Sequence, residues 1–348
     1  MILLSFGLII VFSASSASAY YNFNDSYYFV KRQLMWATVG MFSMFFMAGF
    51  DYRKLKKLAV PILGVSIILL ILVLMIGIEI NGAKRWLGVG GLTIQPSEVA
   101  KLAIIIFFSA SLSNKKDKLQ KFFTGLVPYL LVLGIVLGLV ILEPHLSGTV
   151  VIFLVGFIIL FVAGAKIMHF LMLAVPVIPA FAYVIMTSEY RMKRVTVFLD
   201  PWQDKMGDGW QIIQSLYAIG SGGLFGVGLG RSRQKFLYIP EPHNDFIFSI
   251  ICEELGFIGA STVLILFLIL IWRGIKIAFN APDVFGSLLA TGFTSLIAVQ
   301  VLINVAVVTS SMPVTGMPLP FFSAGGSSLL FIMTGMGIVL NISRYEKT

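Results

Sequence analysis

The sequence predicts an all-α polytopic membrane protein: ten transmembrane helices, with a large extracellular loop between the seventh and the eighth. Three observations carry that expectation. The 348 residues are 58% hydrophobic and only 12% charged, with 30 Phe and a mean hydropathy of +0.96. Apolar runs close to the ~20 residues needed to cross a ~30 Å hydrocarbon core recur along the chain. These runs lack the period-two alternation of barrel strands, so their backbone groups must be satisfied within helices. The single cysteine, Cys252, lies inside one of them, which excludes an internal disulfide and argues against a cysteine-based zinc site.

In order, the apolar segments are expected at residues 1–18, 34–50, 58–78, 97–112, 125–142, 146–163, 167–187, 246–271, 285–309 and 325–342. The first ends in Ala17-Ser18-Ala19, as a cleaved signal would. It has no basic lead and nine further runs follow, so it reads as the first crossing. With the N-terminus inside, the cytoplasmic connections hold thirteen basic residues: Arg53, Lys54, Lys56, Lys57, Lys115, Lys116, Lys118, Lys121, Lys166, Arg273, Lys276, Arg344 and Lys347. The short outer connections hold four, Lys31, Arg32, Lys84 and Arg85. That asymmetry sets both termini on the cytoplasmic side. The net charge of +9 is largely this topogenic Lys and Arg and makes no case for nucleic acid. The lysines from Lys115 to Lys121 read as a solvated loop facing anionic membrane lipid.

Residues 188–244 form the one long connection, and function is sought there first. Arg191, Lys193 and Arg194 enter it, Asp200, Asp204 and Asp208 occupy its middle, and Arg231, Arg233 and Lys235 lead back to the membrane. The basic clusters read either as snorkelling anchors or as an electropositive seat for a lipid pyrophosphate, for which guanidinium forks are suited. Gln211, Gln214, Ser215 and Ala218 share one side of a predicted amphipathic helix in the membrane interface, with Trp210, Ile212, Ile213, Leu216 and Tyr217 on the other. GSGGLFGVGLG (220–230) has no preceding strand of the kind a phosphate-binding glycine loop requires. It reads as a turn region whose glycines permit close backbone approach.

The stretch IPEPHNDFIFSIICEELG (239–256) holds the densest chemistry. Asp245, Ser249 and Glu253 recur every four residues, which on one helix face makes a polar stripe descending about 12 Å into the bundle. Asp245 is either the cap of the eighth helix or a catalyst. Glu253 and Glu254 read as internal struts paired with a lysine or arginine from another helix, because buried ionisable groups need a cavity or a partner. Elsewhere, Glu98 and Lys101 stand one turn apart on the fourth helix. Glu143, Pro144 and His145 fill a tight outer turn, and Gln300 and Asn304 share a face of the ninth helix. The segment SMPVTGMPLPFFSAGGSS holds three prolines and an adjacent glycine pair, so it enters as irregular chain. His145, His169 and His243 have no ligand spacing, so a histidine-based metal site is not expected.

NGAKRWLGVGGLTIQPSEVAK (81–101), EPHLSGT (143–149), RMKRVTVFLDPW (191–202), GWQIIQSLYAIGSGGLFGVGLGRSRQKFLYIPEPHNDFIFSIICEELG (209–256) and GMPLPFFSAGGSS (316–328) together resemble the SEDS proteins (shape, elongation, division and sporulation). The version SRQKFLYIPEPHNDF is closer to the FtsW and SpoVE branch than to RodA. The resemblance runs the length of the chain and implies one SEDS-type transmembrane domain over residues 1–348. It further implies a peptidoglycan glycosyltransferase in the bacterial cytoplasmic membrane that polymerises lipid II on the outer face during division or sporulation. Implied partners are a class B penicillin-binding protein and other division or sporulation membrane proteins. By motif position Asp245 matches the family's catalytic aspartate, and Glu98 and Lys101 its QPSExxK pair. His145, Ala324 and the Asn244 of HND depart from the commoner residues.

The implied reaction joins a sugar hydroxyl to the anomeric carbon of a lipid-pyrophosphate donor with inversion. A hydroxyl is a weak nucleophile, so a carboxylate at Asp245 would serve as general base, or else hold a metal ion. Arg85, Glu98, Lys101, Arg191, Arg194, Arg231, Lys235 and His243 are the substrate-binding residues expected beside it, with Arg233 as a further cation for the leaving pyrophosphate. A divalent cation, magnesium or manganese, is the only cofactor left open. The rival reading is a lipid II flippase, which would use the same basic clusters and buried Glu253.

Overall fold

The computed structural model describes residues 1–80, 83–89, 92–114, 119–207, 209–236 and 238–346. Its helices are α1 (Ile2–Phe23), α2 (Tyr28–Gly49), α3 (Leu55–Ile76), α4 (Pro96–Leu112), α5 (Val127–Leu142), α6 (Leu146–Val162), α7 (Ile167–Met186), α8 (Glu189–Leu199), α9 (Trp210–Gly222), α10 (Ile247–Asn280), α11 (Val284–Val308) and α12 (Ser327–Ser343). Each of the ten expected apolar segments overlaps one of them. Among the described residues, six helical stretches are long and apolar enough to cross a membrane: Ile2–Phe23, Tyr52–Ile76, Phe122–Leu142, Ile167–Met186, Ile247–Asn280 and Val284–Val308. The helices Leu146–Val162 and Ser327–Ser343 are shorter but equally apolar in kind. The protein is a multi-pass helical membrane protein.

Four expectations need correction. Between α3 and α4 the chain forms a small antiparallel meander, β1 (Ile78–Ile80), β2 (Ala83–Val89) and β3 (Leu92–Ile94), in the order β1-β2-β3. It pairs Ile78 with Trp86 and Leu87 with Ile94, so apolar cross-strand pairs stabilise a sheet where all-α structure was expected. The eighth apolar segment continues as helix to Asn280 and is interrupted at Gly256, whose φ of 67° and ψ of −168° only glycine adopts readily. Asp245 precedes α10 in a turn and so lies outside the helical stripe expected of it. In α9 the side predicted to be polar and wet is buried instead: Gln214, Ser215 and Ala218 are buried together with Ile212 and Ile213. Ser215 Oγ donates to Val308 O at 2.8 Å, so the polar side of α9 packs against protein. The lysines 115, 116 and 118 and Asp208 lie outside the described residues.

Two compact units share the chain. The first comprises Met1–Met35, Leu171–Ile269 and Gln300–Gly325. Within it, Gly7 of α1 abuts the carbonyl of Phe321, and Phe6 and Phe267 each meet the buried Phe322 ring at 5.9 Å between centroids. The second comprises Trp36–Phe170, Leu270–Val299 and Gly326–Thr348. There the α3–α6 helices pack around small residues: Gly156 seats Leu133 and Phe108, and Gly292 of α11 seats Ile105. Tyr52, fully buried, is held by Asn341, which accepts from Tyr52 N–H at 3.0 Å and donates to Ala48 O at 2.8 Å.

Candidate functional site

In the first unit the catalytic candidate sits on a short turn at the entrance to α10. Asp245 is half-buried, and its Oδ2 lies where a Cβ on Gly316 would come within 3.0 Å. Asn304, on α11, donates from Nδ2 to Asp245 O at 2.8 Å and to Met317 O at 2.7 Å. Ser323 Oγ donates to Asn244 O at 2.6 Å, and Ala324 N–H to His243 O at 2.9 Å. Arg194, on α8, donates from Nη1 to Val314 O at 2.7 Å. Its guanidinium thereby reaches the same irregular segment that abuts Asp245. His243 is buried and stacks its ring on Phe29, 4.0 Å between centroids. Burial pushes its imidazole down to about 4, with the Glu241 carboxylate only partly opposing. It is neutral at pH 7 and brings no charge to a phosphate.

The basic residues after the glycine segment divide. Arg231 and Arg233 are exposed, whereas Lys235 is 3% exposed and its Nζ lies 3.0 Å from Glu254 Oε1. Lys235 thus serves a buried ion pair, and its ammonium is already committed there. Ser13 Oγ of α1 donates to the same carboxylate at 2.7 Å. Glu253 accepts from the Arg233 and Gln234 N–H groups at 2.9 and 3.4 Å and from Ser232 Oγ. Glu254 is an ion-paired strut, but its cation comes from the returning loop and not from another helix as expected, and Glu253 is tied to that loop by N–H groups and Ser232.

The glycine segment explains how that loop is fixed. In an unbroken helix the Phe257 and Ile258 N–H groups would donate to Glu253 O and Glu254 O. Here they donate to Gly223 O and Leu224 O at 2.8 and 3.2 Å, while the two carbonyls accept from Val227 and Gly228 N–H at 3.0 Å each. The gap in α10 is therefore closed by backbone from the loop, which pairs these four peptide groups. Such contact leaves no space for side chains: a Cβ on Gly222 would collide with Cys252 O and one on Gly226 with Glu254 O.

The second unit holds another polar cluster. Pro96 occupies the first turn of α4, where its missing N–H costs nothing. One turn on, Lys101 Nζ and Glu98 Oε1 form a buried pair at 2.7 Å. Arg85, on β2, donates from Nε to Glu143 O at 3.1 Å and from Nη2 to Pro144 O. The Glu143 carboxylate is buried and, among the described residues, neither oxygen has a hydrogen-bond partner. Burial lifts it to about 8 despite the Arg85 charge. His145, whose Nε2 lies 3.2 Å from Gln95 Nε2, is pushed down to about 3 by burial and then by Arg85 and Lys101. The structure therefore gathers Arg85, Glu98 and Lys101 in one unit and Asp245, Arg194 and His243 in the other. Arg191 belongs to α8; its side chain lies outside the described residues. Among the described residues no group of three or more His, Cys, Asp or Glu side chains could hold a metal ion.

The family model for FtsW, RodA and SpoVE, described as cell cycle protein, matches residues 1–348. The chain belongs to this family. Stage V sporulation protein E of Bacillus subtilis is 47% identical over 349 residues, covering 100% of this chain and 95% of that protein. The probable peptidoglycan glycosyltransferase FtsW of Trichlorobacter lovleyi is 46% identical over 343 residues, covering 98% of this chain and 90% of that one. Among solved structures, a chain described under "Structural coordination of polymerization and crosslinking by a peptidoglycan synthase complex" superposes with a TM-score of 0.81 at 32% identity, covering 99% of this chain and 96% of its own. The crystal structure of Thermus thermophilus rod shape determining protein RodA superposes with a TM-score of 0.71 at 28% identity, covering 100% and 96%. For this FtsW, RodA and SpoVE family member, the sequence had singled out Asp245 but left Asn304, Gly316 and Ser323 off the site. Asn304 was detectable as a polar insertion in an apolar helix. Gly316 and Ser323 lie in the stretch GMPLPFFSAGGSS (316–328), which carries the family resemblance without giving either a role.

Proposed function

We propose that this chain is a peptidoglycan glycosyltransferase that polymerises lipid II at the outer face of the bacterial cytoplasmic membrane. The observation that carries the reading is a half-buried aspartate, Asp245, on a hydrogen-bonded turn at the mouth of an apolar helix. Family membership and the names of the relatives supply the reaction class. In the proposed arrangement one domain over residues 1–348 crosses the membrane ten times, both termini are cytoplasmic and residues 188–244 lie outside.

Asp245 takes the proton of the acceptor sugar hydroxyl as its oxygen bonds to the donor's anomeric carbon. The bond from that carbon to the pyrophosphate oxygen breaks, and the lipid pyrophosphate leaves with its electron pair. Arg194 and Arg231 are the proposed cations for that charge in the loop, with Arg191 and Arg233 beside them. Arg85, Glu98 and Lys101 are proposed to bind other parts of the substrate. Lys235 and His243 act at one remove, the first by anchoring the loop and the second by packing under the turn. A divalent cation would draw most of its ligands from the substrate phosphates, because the described side chains offer no cluster for it, and no step depends on it. A class B penicillin-binding transpeptidase is the proposed partner, supported by the likeness to a synthase complex that couples polymerization to crosslinking.

The test is polymerisation of purified lipid II by the chain with its transpeptidase. Wild type should yield glycan strands. Asp245→Asn should lower the rate at least ~100-fold, the scale expected of a lost general base, with partner binding intact. Unimpaired strands from Asp245→Asn would remove the carboxylate from the mechanism. Lipid movement between leaflets of sealed vesicles without polymer would favour the flippase.

A further inference from the structure

Three successive backbone carbonyls at the entrance to α10, those of His243, Asn244 and Asp245, each accept a hydrogen bond from the segment 304–324. Two of the donors are themselves tied down. Ser323 Oγ also accepts from Leu319 N–H at 2.7 Å. Asn304, 1% exposed, uses both protons of one amide, one on Asp245 O and the other on Met317 O. Gly316 completes the arrangement: at φ 61° it lies against the Asp245 carboxylate, close enough that a Cβ would crowd Oδ2. One side chain thus connects the turn that bears the carboxylate to the segment that walls it.

We propose that Asn304 is a positioning residue for the transfer reaction, its bridging amide holding the His243–Asp245 turn against residues 314–324 and so setting the direction of the Asp245 carboxylate. The proposal rests on the reading of Asp245 as the group that receives the acceptor proton. The chemistry of the position is restrictive. Aspartate has the same shape but presents oxygens to two carbonyl oxygens, and leucine has no donor. Glutamine carries the amide one methylene too far to span both carbonyls at under 3 Å. Freed of its bridge, the turn would let the carboxylate swing, and misplacement of a reacting group by about 1 Å costs on the order of 100-fold in rate.

The experiment uses the full chain with its transpeptidase and lipid II, comparing wild type, Asn304→Asp, Asn304→Leu and Gly316→Ala. Rates are normalised to folded protein, and amide hydrogen exchange is followed over residues 240–250. Asn304→Asp should lower kcat by about 100-fold while KM stays within roughly threefold, because the Asn304 amide is spent on the Asp245 and Met317 carbonyls and not on substrate, and exchange over 240–250 should quicken. Gly316→Ala should lower kcat similarly through the added methyl, with Asn304 and its exchange signature retained. A purely structural asparagine would reduce the yield of folded protein and leave kcat per folded molecule unchanged. That result, a loss confined to KM, or unchanged exchange in both Asn304 variants overturns the proposal. Unimpaired polymer from Asp245→Asn would overturn the underlying reading instead, and the exchange data would still decide whether Asn304 holds the turn.

Discussion

Glu143 shows how a single residue makes stability depend on pH. Its carboxyl is buried with no hydrogen-bond partner among the described residues, and its folded value of about 8 lies above the ordinary 4.5. Between those values the folded chain holds a proton that the unfolded chain has lost, so stability falls as pH rises through the window. Glu143→Gln keeps the shape and removes the titration. The variant and wild type should melt together near pH 4, and the variant should be the more stable by on the order of 4 kcal/mol near pH 8.5. Thermal unfolding of detergent-solubilised protein at the two pH values checks this, and equal melting at both would refute it. The Glu143-Pro144-His145 sequence placed three polar groups in one turn. It could not reveal that burial leaves the first protonated and the last neutral, since that depends on what surrounds the turn.

At the scale of elements, the glycine segment and the interrupted α10 are one construction. Gly222 and Gly226 are where backbone meets backbone, whereas Gly220, in the last turns of α9, has nothing within 4 Å of a built Cβ. Gly222→Ala and Gly226→Ala should therefore each destabilise the protein by several kcal/mol, roughly the tail of measured point substitutions. Gly220→Ala should be neutral or raise stability by up to about 1 kcal/mol through helix propensity. Melting temperatures of the three variants give the comparison, and a Gly220 variant as damaged as the others would sink the explanation. The apolar helices were legible because hydrophobic length decides them. β1–β3 were missed although Asn81-Gly82 and Gly90-Gly91 are hairpin-favouring dipeptides, because short strands between long apolar runs carry little periodicity. The break at Gly256 was illegible for a different reason: its hydrogen bonds come from residues about thirty positions away.

For the whole molecule, the charge asymmetry makes a topological prediction that Cys252 helps to test, since it is buried and so silent to bulky thiol reagents. Met206→Cys, 88% exposed in the native residue, should react with a membrane-impermeant maleimide added to intact cells. Lys57→Cys, also at an exposed position, should react only after the cells are permeabilised. Labelling of position 57 from outside would reverse the orientation. Most of this level was readable in advance: the approximate extent of the apolar helices follows from hydropathy, and the family from a long shared motif. The pairings of Lys235 with Glu254 and of Arg194 with Val314 were not, because which cation a carboxylate or carbonyl meets is decided by packing.

Because residues 223–228 supply the missing rungs of α10, the loop that precedes it and the apolar helix behave as one mechanical part. A push delivered to either by a bound protein or a growing glycan would be felt by the other without any side chain relaying it, and Asp245 rides on the same strut.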